Sequence, residues 1–333
     1  MLNKRLRNNY NYLMNKRIFF TLSAILVLTL GSCGLAVPTE INVYLHLDNG
    51  ESVKTLRVPL GYAVTKIDAP KRENSEFEKW YKDINLTTEF NHAWLTEPTH
   101  LYAGYNLNKI KVAELINQTT LSSVVTIEVY NTPNYFGAQT GIAQGSGVIF
   151  HEDADGYYAL TNNHVTVKPQ KDDYDYNQIF YVLDSDHKIK FLAERIHQLN
   201  TYDLAIIRFK SIKDYHVAPF SYLPVYAGRD VIAIGSPLGV YNQITYGKTL
   251  GSGEVELGDE PYLSNVRFPV LVHNAEIDHG SSGGPLFNHK LQVAGINFAS
   301  GNNGNGQNVS VSIPTAKVFE YFQIVGGIFS DIT

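Results

Sequence analysis

Apolar and polar residues alternate along most of this chain with a period of two, the signature of strands that bury one face. Ile41, Val43, Leu45 and Leu47 alternate with polar residues or Tyr44. After the turn Asp48-Asn49-Gly50 the alternation resumes from Glu51 to Leu60 around Val53, Leu56 and Val58. Aromatic residues then carry the pattern: Phe77, Trp80 and Tyr81, Phe90 after an acidic turn, and the run Thr99–Tyr105. From Thr119 onward the texture becomes one of short β-rich runs with turn signals between them. They cover 123–130, 147–150, 157–161, 178–183, 204–209, 231–234, 253–257, 270–272, 293–298 and 310–313. So many short strands in one stretch predict a barrel or a sandwich, with length enough for two barrels. Two stretches follow the helical period instead: Lys109–Ile116 (KIKVAELI) and Thr315–Val325 (TAKVFEYFQIV), the second preceded by Pro314. The expected fold class is therefore mainly β with a C-terminal helix.

Charge is spread unevenly. The 333 residues carry −5, yet Lys4, Arg5, Arg7, Lys16 and Arg17 all precede the first acid, which leaves 22 basic against 32 acidic residues in the remainder. A basic start on an acidic body fits a targeting segment on an otherwise soluble protein, and nothing in the balance points to nucleic acid. Ile18–Leu30 (IFFTLSAILVLTL) is thirteen residues without a charge, short for a membrane-spanning helix and suited to the apolar region of a signal peptide. Met14 is a second candidate start, since Met14-Asn15-Lys16-Arg17 makes a compact basic region. Leu30-Gly31-Ser32-Cys33 follows, with the only cysteine of the chain, and it resembles a bacterial lipobox. That resemblance implies a lipoprotein signal peptide over residues 1–33, a lipid on Cys33, and a place on the extracytoplasmic face of a bacterial cell membrane. The alternative is a buried cysteine that follows an apolar run. A single cysteine makes no internal disulfide, so the fold rests on its core.

Chemistry concentrates in His273–Leu286, HNAEIDHGSSGGPL. Gly280, Gly283 and Gly284 allow successive N–H groups to line one side of a tight turn. A serine hydroxyl held there is placed to attack a carbonyl, and the N–H groups to stabilise the oxyanion. By itself the run also reads as a glycine-rich hairpin, so the rest of the chain has to supply a base and an orienting carboxylate. His164 ends the run Tyr158–His164 (YALTNNH) at a strand-to-loop junction, whereas His187, His197, His216 and His289 lie in polar surroundings typical of exposed side chains. Asp203 directly precedes the apolar run Leu204–Phe209. A buried, unpaired charge there would be costly, and a histidine partner would turn it to use by fixing the imidazole tautomer and stabilising the imidazolium. The alternative for Asp203 is a turn residue that caps the strand.

The order His164, Asp203, Ser282, in the segments TNNHV, DLAIIRF and GSSGGPLFN, resembles the chymotrypsin-fold serine proteases, and among them the HtrA/Deg-like bacterial branch. Gly145-Ser146-Gly147-Val148-Ile149, Ala233–Gly239 (AIGSPLG), Gly251–Glu254 and Gly295-Ile296-Asn297 extend the likeness over residues 119–325. The resemblance implies a double β-barrel, trypsin-like protease domain over residues 119–333. It makes Ser282 the nucleophile, His164 the general base and Asp203 its orienter, with an oxyanion hole from the N–H groups of Gly280 and Ser282. Ser281 is the rival hydroxyl, but the position before Gly-Gly belongs to Ser282. The implied reaction is peptide-bond hydrolysis on polypeptide substrates, with no cofactor and no metal. Ile277 would line a pocket for an aliphatic or small P1 residue, with Asn297 to Ser300 and Ser310 to Ser312, Phe298 included, as its other walls. Glu276, six residues before Ser282, would favour a basic P1 if it turned inward; the solvated reading is preferred. Asp172, Asp173 and Asp175, in the loop Lys168–Asn177, read as a solvated acidic loop in preference to a calcium site. Members of the branch usually carry a C-terminal PDZ domain, and none is expected after this last helix.

Residues 41–107 resemble the InlB B-repeat of Listeria internalins, through Phe77, Trp80, Tyr81, Phe90 and Thr99–Tyr105. The implied fold is a small β-grasp-like module in which Trp80 is core, acting as a spacer or as a contact for a surface partner. Residues 34–40 then form a tether and 108–118 a linker. Two functions fit: a lipid-anchored extracytoplasmic serine endopeptidase, or a surface adhesion or binding protein that keeps a protease fold without turnover. The intact triad favours the first.

Overall fold

The alternation from Ile41 onward becomes β1 (Glu40–His46), with Ile41, Val43 and Leu45 turned inward, and the Asp48-Asn49-Gly50 turn leads to β2 (Lys54–Pro59). The structure, a computed structural model, describes residues 39–326 apart from 65, 92–93, 170–174, 185, 187, 238–239, 256–262 and 304. The expected signal peptide, Cys33, His187, Asp172 and Asp173 lie outside the described residues. β3 (Ser75–Tyr81) and β4 (Thr99–Leu107) complete a four-stranded sheet in the order β2-β1-β4-β3, with β1 and β4 parallel at its centre. Trp80 is buried with Val43, Leu101, Ala103 and Tyr105, which makes it the core residue expected of a domain this small.

α1 (Lys109–Gln118) runs two residues past its apolar pattern. Its Val112 and Ile116 are fully buried among strands from both following barrels, so the segment expected as a linker is part of the larger core. β5 (Val124–Pro133), β6 (Gly141–Asp153), β7 (Gly156–Thr161), β8 (Tyr176–Leu183), β9 (Lys190–Leu199) and β10 (Leu204–Phe209) close a first barrel in the order β10-β7-β6-β5-β8-β9. A one-turn helix α2 (Asn163–Thr166) follows β7. β11 (Asp230–Gly235), β12 (Gln243–Gly253), β13 (Val270–His273), β14 (Pro285–Phe287), β15 (Val293–Asn302) and β16 (Asn308–Pro314) close a second barrel in the order β11-β12-β13-β16-β15-β14. α3 (Thr315–Val325) spans the residues its pattern predicted, and its Val318, Tyr321 and Phe322 cover the core between the barrels. Closure removes the unpaired edges that open sheets of this size expose.

The N-terminal sheet is docked on the second barrel by charge. The Arg72 guanidinium, almost fully buried, bonds Asp48 Oδ2 (3.0 Å) on its own side and Asp230 Oδ2 (3.2 Å) at the start of β11, and lies 4.1 Å from the centre of the Tyr105 ring. Lys248 Nζ donates to Tyr105 O (3.2 Å), and Asn74 Nδ2 to His289 O (2.9 Å). His289 is therefore half-buried at a domain junction, where its sequence surroundings suggested exposure. His197 likewise sits against Tyr321, its Nδ1 2.9 Å from the Tyr321 hydroxyl.

Candidate active site

Antiparallel pairing of β10 with β7 places Ala205 opposite Thr161, so the residues just outside each strand meet: Asp203 on one side, Asn162 to His164 on the other. Asp203 is fully buried and sits at φ 51°, a left-handed conformation that Asp tolerates better than most side chains. Its backbone is held at both ends, the N–H donating to Asn200 O (3.1 Å) and the carbonyl accepting from Asn162 Nδ2 (2.9 Å). Oδ1 accepts the His164 backbone N–H (3.0 Å), and Oδ2 lies 2.8 Å from His164 Nδ1. An ionised carboxylate only accepts, so Nδ1 carries the proton and Nε2 bears the lone pair. That is the tautomer a general base needs. The His164 side chain is about a quarter exposed, at 26%.

Ser282 reaches the same place from the second barrel. Its carbonyl accepts the N–H of Ser146 on β6 (2.8 Å). A Cβ on Gly145 would touch both Ser282 O and the Val165 side chain, and one on Gly283 would overlap Ser146 O and Thr161 Oγ1. The backbone of the candidate nucleophile is thus packed beside residues 161–165 at the junction of the barrels. Ser282 is half-buried, whereas Ser281 is 3% exposed and its hydroxyl accepts the Asp278 N–H (3.3 Å). The two rival hydroxyls are therefore distinguished: one is tied inside a turn, the other lies at the junction. Gly280 sits at φ 98°, and a side chain there would overlap Ser236 O. From 280 to 284, the N–H groups of Ser281, Gly283 and Gly284 donate to Asp278 O, Asn297 O and Ser281 O. Among the described residues, those of Gly280 and Ser282 have no such acceptor.

A cleft of about 600 Å³ opens beside this turn, walled by Glu276, Ile277 and Asp278 on one side and by Ser300, Gly301 and Ser310 on the other. Glu276 is exposed, and Ile277 is half-buried against the Ala275 and Leu286 cluster. Of the expected walls, Ser300 and Ser310 line the cleft, whereas Asn297, Phe298 and Ser312 are buried, at 0%, 4% and 0% exposed, and are not among its lining residues. A register shift in the β15–β16 pairing between Asn297 and Ala299 re-aims the strand, so that its later residues face the cleft. Asn297 and Ser312 belong to a buried network. Ser312 Oγ donates to Asn297 Oδ1 (2.8 Å), which obliges His273 Nε2, 2.9 Å away, to donate to Ser312 Oγ. Burial pushes the His273 pKa down to about 4. Neither His273 nor Ser146 carried a site role in the sequence; for Ser146 the signal was a hydroxyl inside an apolar strand.

Residues 145–296 match the family described as a trypsin-like peptidase domain, and residues 43–104 match the Listeria-Bacteroides repeat domain. Serine protease HTRA4 of Mus musculus is 29% identical over 233 residues, which cover 66% of this chain and 42% of that protein. Serine protease Do-like HtrB of Bacillus subtilis (strain 168) is 31% identical over 175 residues, covering 52% of this chain and 36% of that protein. The chain thus matches less than half the length of these curated relatives. A solved HtrA-type protease with a tripeptide aligns at a TM-score of 0.48 and 26% identity, covering 64% of this chain and 62% of that one. The chain carries a trypsin-like peptidase domain related to the HtrA-type serine proteases, preceded by a Listeria-Bacteroides repeat domain.

Proposed function

We propose that this chain is a serine endopeptidase that works on polypeptides outside a bacterial membrane, held there by a lipid on Cys33. The observation that carries the reading is the fully buried Asp203 carboxylate 2.8 Å from His164 Nδ1. As the Ser282 oxygen attacks the scissile carbonyl carbon, His164 Nε2 takes its proton, and Asp203 stabilises the imidazolium. The carbonyl oxygen becomes an oxyanion that accepts from the N–H groups of Gly280 and Ser282. Collapse of the tetrahedral intermediate breaks the C–N bond, and His164 returns the proton to the leaving amine. A water then gives its proton to His164 and its oxygen to the acyl carbon, and release of the acid restores the Ser282 hydroxyl.

The location rests on the N-terminal pattern: five cations, thirteen uncharged residues, then Cys33. One related sequence, from Buchnera aphidicola, bears the name probable periplasmic serine endoprotease DegP-like. Two measurements test the proposal. Hydrolysis of an unstructured protein substrate should be lost in Ser282→Ala and in His164→Ala; equal turnover in either variant contradicts their catalytic roles, and no turnover by the wild type leaves a binding protein on a protease fold. Replacing Cys33 by Ser should move the protein from the membrane fraction to the soluble one; retention in the membrane contradicts the lipid anchor.

A further inference from the structure

Ser146 has every polar group committed, and two of its four bonds reach the residues proposed to hold the oxyanion. The residue is fully buried on β6, in the first barrel. Its Oγ donates to Gly280 O (2.7 Å) and accepts the Ser236 N–H (2.9 Å). Its own N–H donates to Ser282 O (2.8 Å), and its carbonyl accepts from Thr161 Oγ1 (2.6 Å). A carbonyl shares one peptide plane with the N–H of the following residue, so these two bonds fix the 280–281 and 282–283 planes. One side chain and one amide on the first barrel therefore brace the peptide units on both sides of the one that carries the Ser282 N–H, and the unit next to the one that carries the Gly280 N–H.

We infer that Ser146 is a positioning residue for the oxyanion hole, a hydroxyl clamp that sets the Gly280–Ser282 backbone from the opposite barrel. The inference rests on the serine endopeptidase reading above and assigns within it the origin of the hole's geometry. The environment requires a small hydroxyl. Alanine leaves Gly280 O and the Ser236 N–H without their shared partner, and Gly280 regains freedom at the point where it has no side chain to restrain it. The space also limits size: a Cβ placed on Gly284 would lie 3.1 Å from Ser146 Cβ, and one on Gly235 would lie 3.1 Å from Ser146 Oγ. Preorganisation is what such a clamp supplies. Donors already aimed at the developing charge cost no reorganisation when the transition state forms.

The test compares Ser146→Ala and Ser146→Cys with wild type in the full chain, using steady-state hydrolysis, the rate of fluorophosphonate labelling, and the affinity of a peptide boronate. In Ser146→Ala, kcat should fall about 10- to 100-fold, below the loss from deleting an oxyanion donor outright, while KM stays within about twofold. Labelling rate and boronate affinity should fall in parallel with kcat. Ser146→Cys keeps a polar hydrogen on a somewhat larger, weaker-bonding atom, so it shows the same split to a smaller degree and stands as the decisive variant if the alanine protein does not fold. Thr249→Val controls for the loss of a buried hydroxyl, since Thr249 Oγ1 bonds Tyr226 O and Thr249 is not among the residues that line the cleft. It should lose stability and keep kcat. Wild-type labelling and boronate affinity in both Ser146 variants would overturn the positioning role. No labelling of wild type would instead overturn the endopeptidase reading itself.

Discussion

Removing Arg72 should uncouple the repeat domain from the barrels. Its guanidinium, with 2% of the side chain exposed, is shared between Asp48 and Asp230, whose side chains are 36% and 9% exposed. Burial pulls the Arg72 pKa down, and the two aspartates oppose it. Deleting one partner of a buried pair typically costs about 3–5 kcal/mol, because the remaining charge is left without compensation. Both acids keep a second cation here, Arg229 Nε 2.9 Å from Asp48 and Lys248 Nζ 3.1 Å from Asp230, and Asp48 is open enough to rehydrate. The loss in Arg72→Ala should therefore lie at the lower end, about 3 kcal/mol, with packing against the Tyr105 ring included. For a unit of this size that is a fall of about 6–12 °C in the midpoint of unfolding. Calorimetry on the full chain checks it, and a separate early transition for the repeat should appear in the variant. Combining Arg72→Ala with Asp230→Asn should cost less than the sum of the two, since both remove one interaction. A midpoint within 1–2 °C of wild type, or strict additivity, would refute the idea that this cluster holds the domains together.

Two further outcomes follow from the same structure. His273 is buried neutral with a pKa near 4 against an ordinary 6.5. The unfolded chain thus binds a proton that the native state refuses between those values. Stability should be full above pH 6.5 and fall as pH drops toward 4, by up to about 1.4 kcal/mol per pH unit for this group. Urea unfolding of wild type and His273→Gln at pH 7, 5.5 and 4.5 measures it, and parallel curves would count against the buried neutral histidine. At the cleft, Glu276 and Asp278 stand on one wall with no Lys or Arg among the lining residues. Glu276→Gln should lower kcat/KM for a Lys or Arg P1 about fivefold, the size of one solvated charge pair near 4 Å, and leave an aliphatic P1 unchanged. Equal loss on both substrates would mean that Glu276 acts through the fold.

The strands legible in the sequence were those with a clean period: β1, β7, β10 and β15 carry unbroken apolar alternation or fully apolar runs. β9 (KFLAERIHQL) was not legible, because charges interrupt it and it buries only one residue fully. β14 is three residues long, and most of β12 is polar or glycine, so the expected strand at 253–257 marks only where β12 ends. His164 and Asp203 could be read because each stands beside an apolar run, where a polar residue needs a reason, and Ser282 because three glycines surround it. The pocket walls were legible in part: Glu276, Ile277, Ser300 and Ser310 all line the cleft, whereas Asn297, Phe298 and Ser312, on either side of the register shift in β15–β16, are not among its lining residues. Ser146 and His273 were illegible for a related reason: their partners, Gly280 and Ser312, lie 134 and 39 residues away. Packing of one barrel against the other brings the first pair together, and the β13–β16 pairing the second.

We propose Ser282, activated by His164 on the buried Asp203, as the nucleophile. A biotinylated fluorophosphonate, followed by peptide mapping of the adduct, addresses it directly. The predicted result is one adduct on Ser282 that is lost in Ser282→Ala, falls sharply in Asp203→Asn, and persists in Ser281→Ala. An adduct on Ser281, or none on a folded wild-type chain, would contradict it.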